Sequence, residues 1–279
     1  MAPIFDRQPA LWVEVSPPRG INPAPLLERL APLVGHADAI NLTDNSLGKV
    51  KLSALVFGAM IKQRLKIPVV LNVSCRDRNR FALKSDLLGA AALGIDAVVA
   101  LGGDRVGPDA DGKPIPAHDL TPFALLEMIG ALNRGDTGEG QPPLKTRPNL
   151  LPGAVANPNR KDLDLEFALL ARKAAAGARF VITQPVFETA VARRFIAGAD
   201  AAGLKTMLGI MPIKRAAMAR YMTERVADLS GAAPQLDRYA GMDEAEVRAA
   251  SIRNNLELME SLARETAGFT VMSGGGPSL

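Results

Sequence analysis

An acidic residue interrupts the first apolar run of this sequence, and its carboxyl could serve either in catalysis or in a structural ion pair. Glu14 lies in Leu11-Trp-Val-Glu-Val15, which otherwise has the composition of a buried strand. Burial without a partner raises a carboxyl pKa and suits a general acid, whereas pairing with Arg19 would make Glu14 a structural anion. We expect Glu14 to be a catalytic acid, with the ion pair as the alternative.

A second acidic residue follows two glycines in Leu101-Gly102-Gly103-Asp104. Glycines allow a backbone to approach a ligand closely, which would leave Asp104 beside that ligand. The glycine spacing differs from the dinucleotide fingerprint, which opens a helix. The segment therefore predicts a ligand-binding turn, and a turn with a helix-capping aspartate is the alternative.

Hydroxyl and amide side chains follow two other apolar runs. Thr43 comes first in a polar segment, Thr43-Asp44-Asn45-Ser46, and is the favoured ligand candidate; helix capping by the last three residues explains much of the pattern. Asn72 lies in the run Val69 to Val73 and is expected to point inward.

Further candidates lie in the second half of the chain. Gln184 can donate and accept hydrogen bonds at the edge of a heteroaromatic ring, and Phe187 can stack beside that ring; a glutamine that satisfies loop backbone is the alternative. Asn157 follows another apolar run, and Lys173 on the next helix could reach a phosphate unless it is simply solvated.

Two features favour a structural interpretation. Cys75 has no histidine near it in sequence, so a small apolar filler is expected over a nucleophile. The glycine run within Ser273 to Gly276 could contact phosphate but borders the end of the sequence, so a frayed tail is expected.

Eight short apolar runs alternate with longer helical patterns and would position these residues. The runs are Leu11 to Val15, Ala39 to Leu42, Val69 to Val73, Ala97 to Leu101, Gly153 to Ala156, Phe180 to Ile182, Thr206 to Met211 and Phe269 to Met272. The helices are Pro25 to Leu33, Lys49 to Leu65, Phe81 to Leu93, Pro122 to Leu132, Asp162 to Ala176, Ala190 to Ala202, Arg215 to Val226 and Asp243 to Glu265.

This alternation predicts an α/β fold, a (β/α)₈ TIM barrel that forms a single domain over residues 1–279. The Gly- and Pro-rich stretch at about 133–148 is expected to be a surface excursion. Active sites of such barrels lie at the carboxyl ends of the strands, where the candidates above other than Lys173 are found.

Composition excludes several classes of function. Lysine and arginine exceed aspartate and glutamate by four, but they are dispersed and only 4% of residues are aromatic, so no nucleic-acid partner is expected. One cysteine and two distant histidines, His36 and His118, assemble neither a disulfide framework nor a metal cluster. Without an apolar signal core or a long apolar run, we expect a cytoplasmic protein with no membrane partner.

The combination of motifs resembles the methylenetetrahydrofolate reductase family. The resemblance is carried by Glu14 before Ser16-Pro-Pro-Arg19, Thr43 in its polar loop, Leu101-Gly-Gly-Asp104 and Ile182-Thr-Gln-Pro185, in order across almost the whole chain. It implies a short, bacterial-type catalytic barrel without a regulatory domain. It also implies transfer of a hydride from NADH or NADPH through FAD to 5,10-methylenetetrahydrofolate, giving 5-methyltetrahydrofolate.

The resemblance also assigns roles to the candidates. Glu14 and Asp104 would be catalytic, and the folate would contact Glu14, Asp104, Gln184 and Phe187. The flavin would be lined by Thr43, Asn72, Leu101, Gly102, Gly103, Asp104, Ala156, Asn157 and Lys173. No metal is implied, and a homo-oligomer is expected. Two alternatives stay open: a flavin-independent reductase that uses NAD(P)H directly, and a non-catalytic folate-binding or partner subunit of the same fold.

Overall fold

Eight parallel strands close into a barrel in sequential order, from β1 to β8 and back to β1. The computed structural model describes residues 3–104, 120–138, 140–225 and 227–272. The strands are β1 Ala10–Val15, β2 Ala39–Leu42, β3 Val69–Ser74, β4 Ala97–Leu101, β5 Leu151–Ala156, β6 Phe180–Pro185, β7 Lys205–Ile210 and β8 Gly268–Val271. The predicted (β/α)₈ barrel is confirmed.

Helices connect the strands around the outside. They are α1 Ala24–Leu30, α2 Ala54–Leu65, α3 Arg80–Ala92, α4 Pro122–Arg134, α5 Leu163–Ala175, α6 Thr189–Ala201, α7 Ala216–Arg225, α8 Ala233–Leu236 and α9 Glu244–Leu262. The four-residue α8 had no counterpart among the predicted helices.

One predicted helix start is wrong. The helix expected from Lys49 begins at Ala54, because the Ser53 hydroxyl accepts a hydrogen bond from the Val56 amide and caps the first turn. Residues 49–52 instead extend the loop that follows β2, which brings Lys51 to the carboxyl end of the barrel. Lys51 therefore joins the candidate site.

The amino-terminal end of the barrel interior is filled by aromatic rings. Trp12 and Phe180 are fully buried inside it, with ring centroids 5.5 Å apart and planes at 86°, and Phe5 completes the trio. The Trp12 indole donates to the Ile4 carbonyl at 2.9 Å. A Cβ on Gly153 would lie 2.2 Å from the Phe180 ring, so this strand position must be glycine. The floor of the barrel is a packed apolar plug.

Alternate strand residues face outward and pack under the helices, as period-two alternation requires. Val13, Leu42 and Leu71 belong to the largest buried cluster, together with Phe57 of α2 and Leu87 of α3. The inward-facing polar side chains of Glu14, Asn41 and Asn72 lie toward the carboxyl ends of their strands, beyond this plug.

The Gly- and Pro-rich excursion leaves the barrel after α4. Gly135 ends that helix in the left-handed conformation, φ 90°. The Asn133 side chain donates to the Leu150 carbonyl at 2.8 Å and accepts from the Leu150 amide at 3.0 Å, which ties the two ends of the excursion together. Most of the described residues between them are exposed.

Candidate active site

Glu14 lies near the carboxyl end of β1, paired in register with Asn41 of β2. It is half-buried, and no described residue forms a hydrogen bond or an ion pair with its carboxyl, so the alternative pairing with Arg19 is not formed. Burial raises the pKa of Glu14 to about 7; the neighbouring Lys51 opposes this shift and Asp104 adds to it. The group is placed to hold and release a proton near neutrality.

Lys51 stands beside this carboxyl and was missed by the sequence prediction, which placed it within a helix. Its ammonium donates to the Ser46 hydroxyl at 3.3 Å. Burial lowers the pKa of Lys51, as do Arg19 and Lys49, while Glu14 raises it. The available signal was Ser53, a strong N-cap residue just before an apolar-periodic run.

Thr43 belongs to a chain of hydroxyl groups at the same end of the barrel. Its Oγ1 lies 2.7 Å from the Ser16 Oγ, and that oxygen lies 3.2 Å from the Ser46 Oγ. With Lys51 at its end, the chain links the loops that follow β1 and β2. Thr43 thus lies in the site, with its hydroxyl already bonded to protein.

The helix-capping interpretation of Asp44 is wrong. Its buried carboxylate accepts from the Ser74 amide at 2.9 Å and from Arg78 at 2.6 Å. Asp44 therefore joins the loops after β2 and β3, and Ser53 caps α2 in its place.

The Gly102-Gly103-Asp104 turn lies against the loop after β3. Gly103 has φ 86°, and an added Cβ would lie 2.2 Å from the Ser74 Oγ, so two restrictions require glycine there. The Asp104 carboxylate accepts a hydrogen bond from the Leu47 amide, 57 residues earlier. Asp104 caps none of the described helices, and its charge acts on Glu14 across the mouth.

Asn72 points into the barrel as predicted, and it is 7% exposed. Its amide nitrogen donates to the Asn41 Oδ1 at 2.8 Å and to the Leu42 carbonyl at 2.6 Å. The two asparagines form a polar layer between the aromatic floor and the open mouth.

A separate ionic cluster lies behind β5. Glu166, 1% exposed, accepts hydrogen bonds from the Asn157 amide at 3.1 Å, from Arg160 at 2.8 Å and from Lys173 at 3.4 Å. The Lys173 ammonium also donates to the Val155 carbonyl at 2.8 Å. Asn157 and Lys173 are therefore close together, held by a carboxylate that the sequence prediction missed.

The mouth near β5 and β6 is less polar. Val155 is an apolar side chain 37% exposed, next to Ala156, which is buried. Gln184 lies where the β6–β7 register shifts, between Ile182 and Pro185, and no described residue bonds its side-chain amide. The alternative of a glutamine that satisfies loop backbone is therefore not observed. Irregular pairing of this kind re-aims a side chain.

Phe187 packs against the buried apolar cluster that contains Trp12 and Phe180. It also lines a cavity of about 200 Å³, together with Lys161 and Arg194. Arg172, the neighbour of Lys173 on α5, lies over the Phe123 ring at 4.4 Å.

Cys75 is fully buried, and burial raises the pKa of its thiol to about 11, so it carries no thiolate at neutral pH and acts as an apolar filler. Ser273 to Gly276 and His118 lie outside the described residues. Within the described ranges, no three His, Cys, Asp or Glu side chains converge as metal ligands. Nor is any described helix long and apolar enough to cross a membrane.

Comparison with known proteins agrees with the family resemblance of the sequence motifs, over almost the whole chain. The family model described as methylenetetrahydrofolate reductase matches residues 4–272. The chain is 26% identical over 244 residues to a probable methylenetetrahydrofolate reductase (NADPH) of Caenorhabditis elegans. That match covers 81% of this chain but only 33% of the relative, so the chain spans about a third of that protein's length.

Solved structures share the fold at low sequence identity. A Clostridium thermocellum protein that binds two copies of 5-methyl-5,6,7,8-tetrahydrofolic acid has a TM-score of 0.63 and 17% identity, over 98% of this chain and 91% of that chain. A tryptophan synthase α-subunit from Pyrococcus furiosus has a TM-score of 0.53 and 15% identity, over 96% of this chain and 88% of that chain.

Proposed function

This chain belongs to the methylenetetrahydrofolate reductase family, and we propose that it reduces 5,10-methylenetetrahydrofolate to 5-methyltetrahydrofolate with a hydride that originates from NADH or NADPH. One observation carries the proposal: Glu14 is a half-buried carboxyl without a hydrogen-bond partner among the described residues, and burial raises its pKa to about 7. Such a group keeps a transferable proton where an ordinary glutamate has lost it.

Glu14 is the general acid in this proposal. Its proton goes to a nitrogen of the folate's five-membered ring, the bond from that nitrogen to the bridging carbon breaks, and an iminium carbon forms. A hydride then adds to this carbon and yields the methyl group. The proton and the hydride together account for the two-electron reduction.

Asp104 stabilises the cationic iminium and holds the pterin in the same proposal. Its carboxylate acts on Glu14 and is oriented by the Leu47 amide. A fixed negative charge near a developing cation lowers the barrier more than a mobile charge does. Gln184, whose amide has no partner among the described residues, and Phe187 complete the folate contacts.

FAD is the proposed intermediate cofactor, and the mouth offers a surface that fits a planar ring. Among the described residues, a Cβ on Gly102 would meet nothing closer than Pro122 at 3.8 Å, so these residues leave room beside the turn. Val155 adds an exposed apolar face. We assign the flavin to the backbone of Leu101 to Asp104 and of Ala156 and Asn157, with Thr43, Asn72 and Lys173 at its edges. When bound, a flavin would accept a hydride from the nicotinamide and deliver it to the folate.

A second candidate is direct transfer from the nicotinamide to the folate without flavin. It is favoured by donors that are already bonded within the protein. The Asn72 side-chain NH2 donates to Asn41 and Leu42, and the Lys173 ammonium donates to Val155 and Glu166.

The visible absorption spectrum of the purified protein separates the two candidates. Under anaerobic conditions, flavin bands that bleach with NADH or NADPH and return with methylenetetrahydrofolate support the relay. A colourless protein that oxidises NAD(P)H only when folate is present supports direct transfer. Failure to oxidise NAD(P)H with folate, even after FAD is added, would reject the proposed activity.

We also propose a homo-oligomeric, cytoplasmic enzyme that acts on small molecules alone. Light scattering of the purified protein measures the oligomeric state, and a monomer at micromolar concentration would contradict the first part.

A further inference from the structure

The Arg76 side chain connects the three loops that follow β2, β3 and β4. It binds the Asp77 carboxylate with two hydrogen bonds of 2.6 Å, from Nε and Nη2. Its Nη1 donates to the backbone carbonyl of Asp104 at 2.8 Å, and Nη2 approaches the carbonyl of Asn45 at 3.5 Å. The side chain is only 8% exposed, so this guanidinium belongs to the framework of the site.

The turn carrying Asp104 packs directly on Arg76. A Cβ on Gly103 would lie 2.9 Å from the Arg76 Cβ and even closer to the Ser74 hydroxyl. The Arg76 side chain thus packs against the backbone of Gly103, and its guanidinium binds the carbonyl of Asp104.

The turn that carries the second partner of Asp104 contacts the same arginine. The Leu47 amide, which donates to the Asp104 carboxylate, lies in a turn where Asn45 and Leu47 have φ of 45° and 59°. Non-glycine residues with positive φ are unfavourable and persist only when their surroundings hold them. Arg76 reaches the Asn45 carbonyl at the start of this turn.

We propose that Arg76 is a positioning residue that fixes the Asp104 carboxylate for folate binding, acting through both the Asp104 carbonyl and the turn that presents the Leu47 amide. This inference rests on the proposed function, because it takes Asp104 to be a folate ligand. Lysine cannot replace this arginine, since one ammonium cannot hold a carboxylate with two parallel bonds and also reach two carbonyls.

A double-mutant cycle tests the inference by measuring the Kd of 5-methyltetrahydrofolate with calorimetry, which needs no electron donor. Arg76→Lys is expected to weaken binding about tenfold in the unmodified protein, and less than twofold in the Asp104→Asn background. A purely structural role of Arg76 would lower affinity by the same factor in both backgrounds, and that result overturns the inference.

The cycle also separates this inference from the proposed function. If Asp104→Asn alone leaves the Kd unchanged, Asp104 is not a folate ligand, and both its assignment and the positioning role fall. If Asp104→Asn weakens binding and the two effects multiply, only the positioning role falls.

Two further variants control for folding. Arg193→Lys alters another arginine bound to a carboxylate through two short contacts, with Glu265 on the outer surface, and should leave the Kd unchanged. Asp77→Asn weakens the carboxylate contact that holds Arg76 but keeps the positive charge of Arg76. Like Arg76→Lys, it should weaken folate binding, by about threefold. An unchanged Kd for Asp77→Asn in folded protein would contradict the proposed positioning role of Arg76, even if Arg76→Lys fails to fold.

Discussion

Two carboxylates of the barrel, Glu166, which is buried, and Glu14, which is half-buried, have opposite surroundings. Glu166, behind β5, accepts hydrogen bonds from Asn157, Arg160 and Lys173. Glu14, inside the mouth, has no hydrogen-bond partner among the described residues and feels Lys51 and Asp104 only through space. Glu166 is the more deeply buried of the two.

The two carboxylates therefore differ in their hydrogen-bond partners more than in their depth. Glu166 ties its loop to a helix, because breaking up its contacts would leave two cations without their counter-ion. Glu14 is held in an unfavourable environment that raises its pKa to about 7, which costs stability and, under the proposed function, supplies a proton donor. The following predictions test this contrast in order of decreasing effect.

Glu14→Gln should reduce turnover with methylenetetrahydrofolate by about 10² to 10⁴, because glutamine keeps the shape of the side chain but carries no transferable proton. The Kd of 5-methyltetrahydrofolate should stay within threefold, since the product needs no proton from this residue. Unchanged turnover would remove Glu14 as the proton donor and end its contrast with Glu166.

Glu166→Gln should lower the free energy of unfolding by about 3 to 5 kcal/mol, because Arg160 and Lys173 lose a buried counter-ion. Chemical denaturation measures this loss, and turnover per folded molecule should fall by less than tenfold. A variant as stable as the original protein would show that Glu166 is not the architectural member of the pair.

The pH dependence of stability should bear the signature of Glu14. Between pH 4.5 and about 7 the folded protein retains a proton that the unfolded chain has released, so the free energy of unfolding falls as pH rises. The loss amounts to roughly 2 to 3 kcal/mol by pH 8. Glu14→Gln should therefore be more stable than the original protein at pH 8 and closely similar to it at pH 4. Denaturation curves that differ equally at both pH values would contradict the raised pKa.

Gln184→Ala should weaken 5-methyltetrahydrofolate binding by about fivefold to tenfold, the value of one hydrogen bond. Its thermal stability should be unchanged, because no described residue bonds its amide. Asn133→Ala is the matched control: this amide is bonded to Leu150 in both directions, so stability should fall by about 1 to 3 kcal/mol with no effect on folate. The reverse pattern would exchange the two assignments.

Part of the candidate site can be predicted from the sequence because active sites of parallel barrels lie at the carboxyl ends of the strands. Glu14 is the penultimate residue of β1 and Asp104 follows the end of β4, and closure of a parallel barrel brings such positions together whatever the helices contain. Asn72 was predicted to point inward and does so, because side chains alternate along a strand. Roles for these residues remain proposals.

Hydrogen-bond partners escaped the prediction because they join loops that are distant in sequence. The helical pattern places Lys51 in a helix, but Ser53 caps α2, so Lys51 lies in the preceding loop and close to Glu14. Asp44 looked like a helix cap and instead binds Arg78 and the Ser74 amide. Local patterns describe a residue's own backbone, and they contain no record of which loop will face it.

The sequence by itself determined the closed barrel, the order of its elements and the strand ends where polar residues collect, since these follow from apolar periodicity and the rules of parallel sheets. Only the tertiary structure decided which of those residues are bonded to protein and which are left open. Asn72 is bonded inside the barrel and Lys173 behind β5, whereas Glu14 and Gln184 have no hydrogen-bond partner among the described residues. The physical reason is that desolvation and hydrogen bonding depend on the distances between loops, which are set when the eighth strand closes against the first.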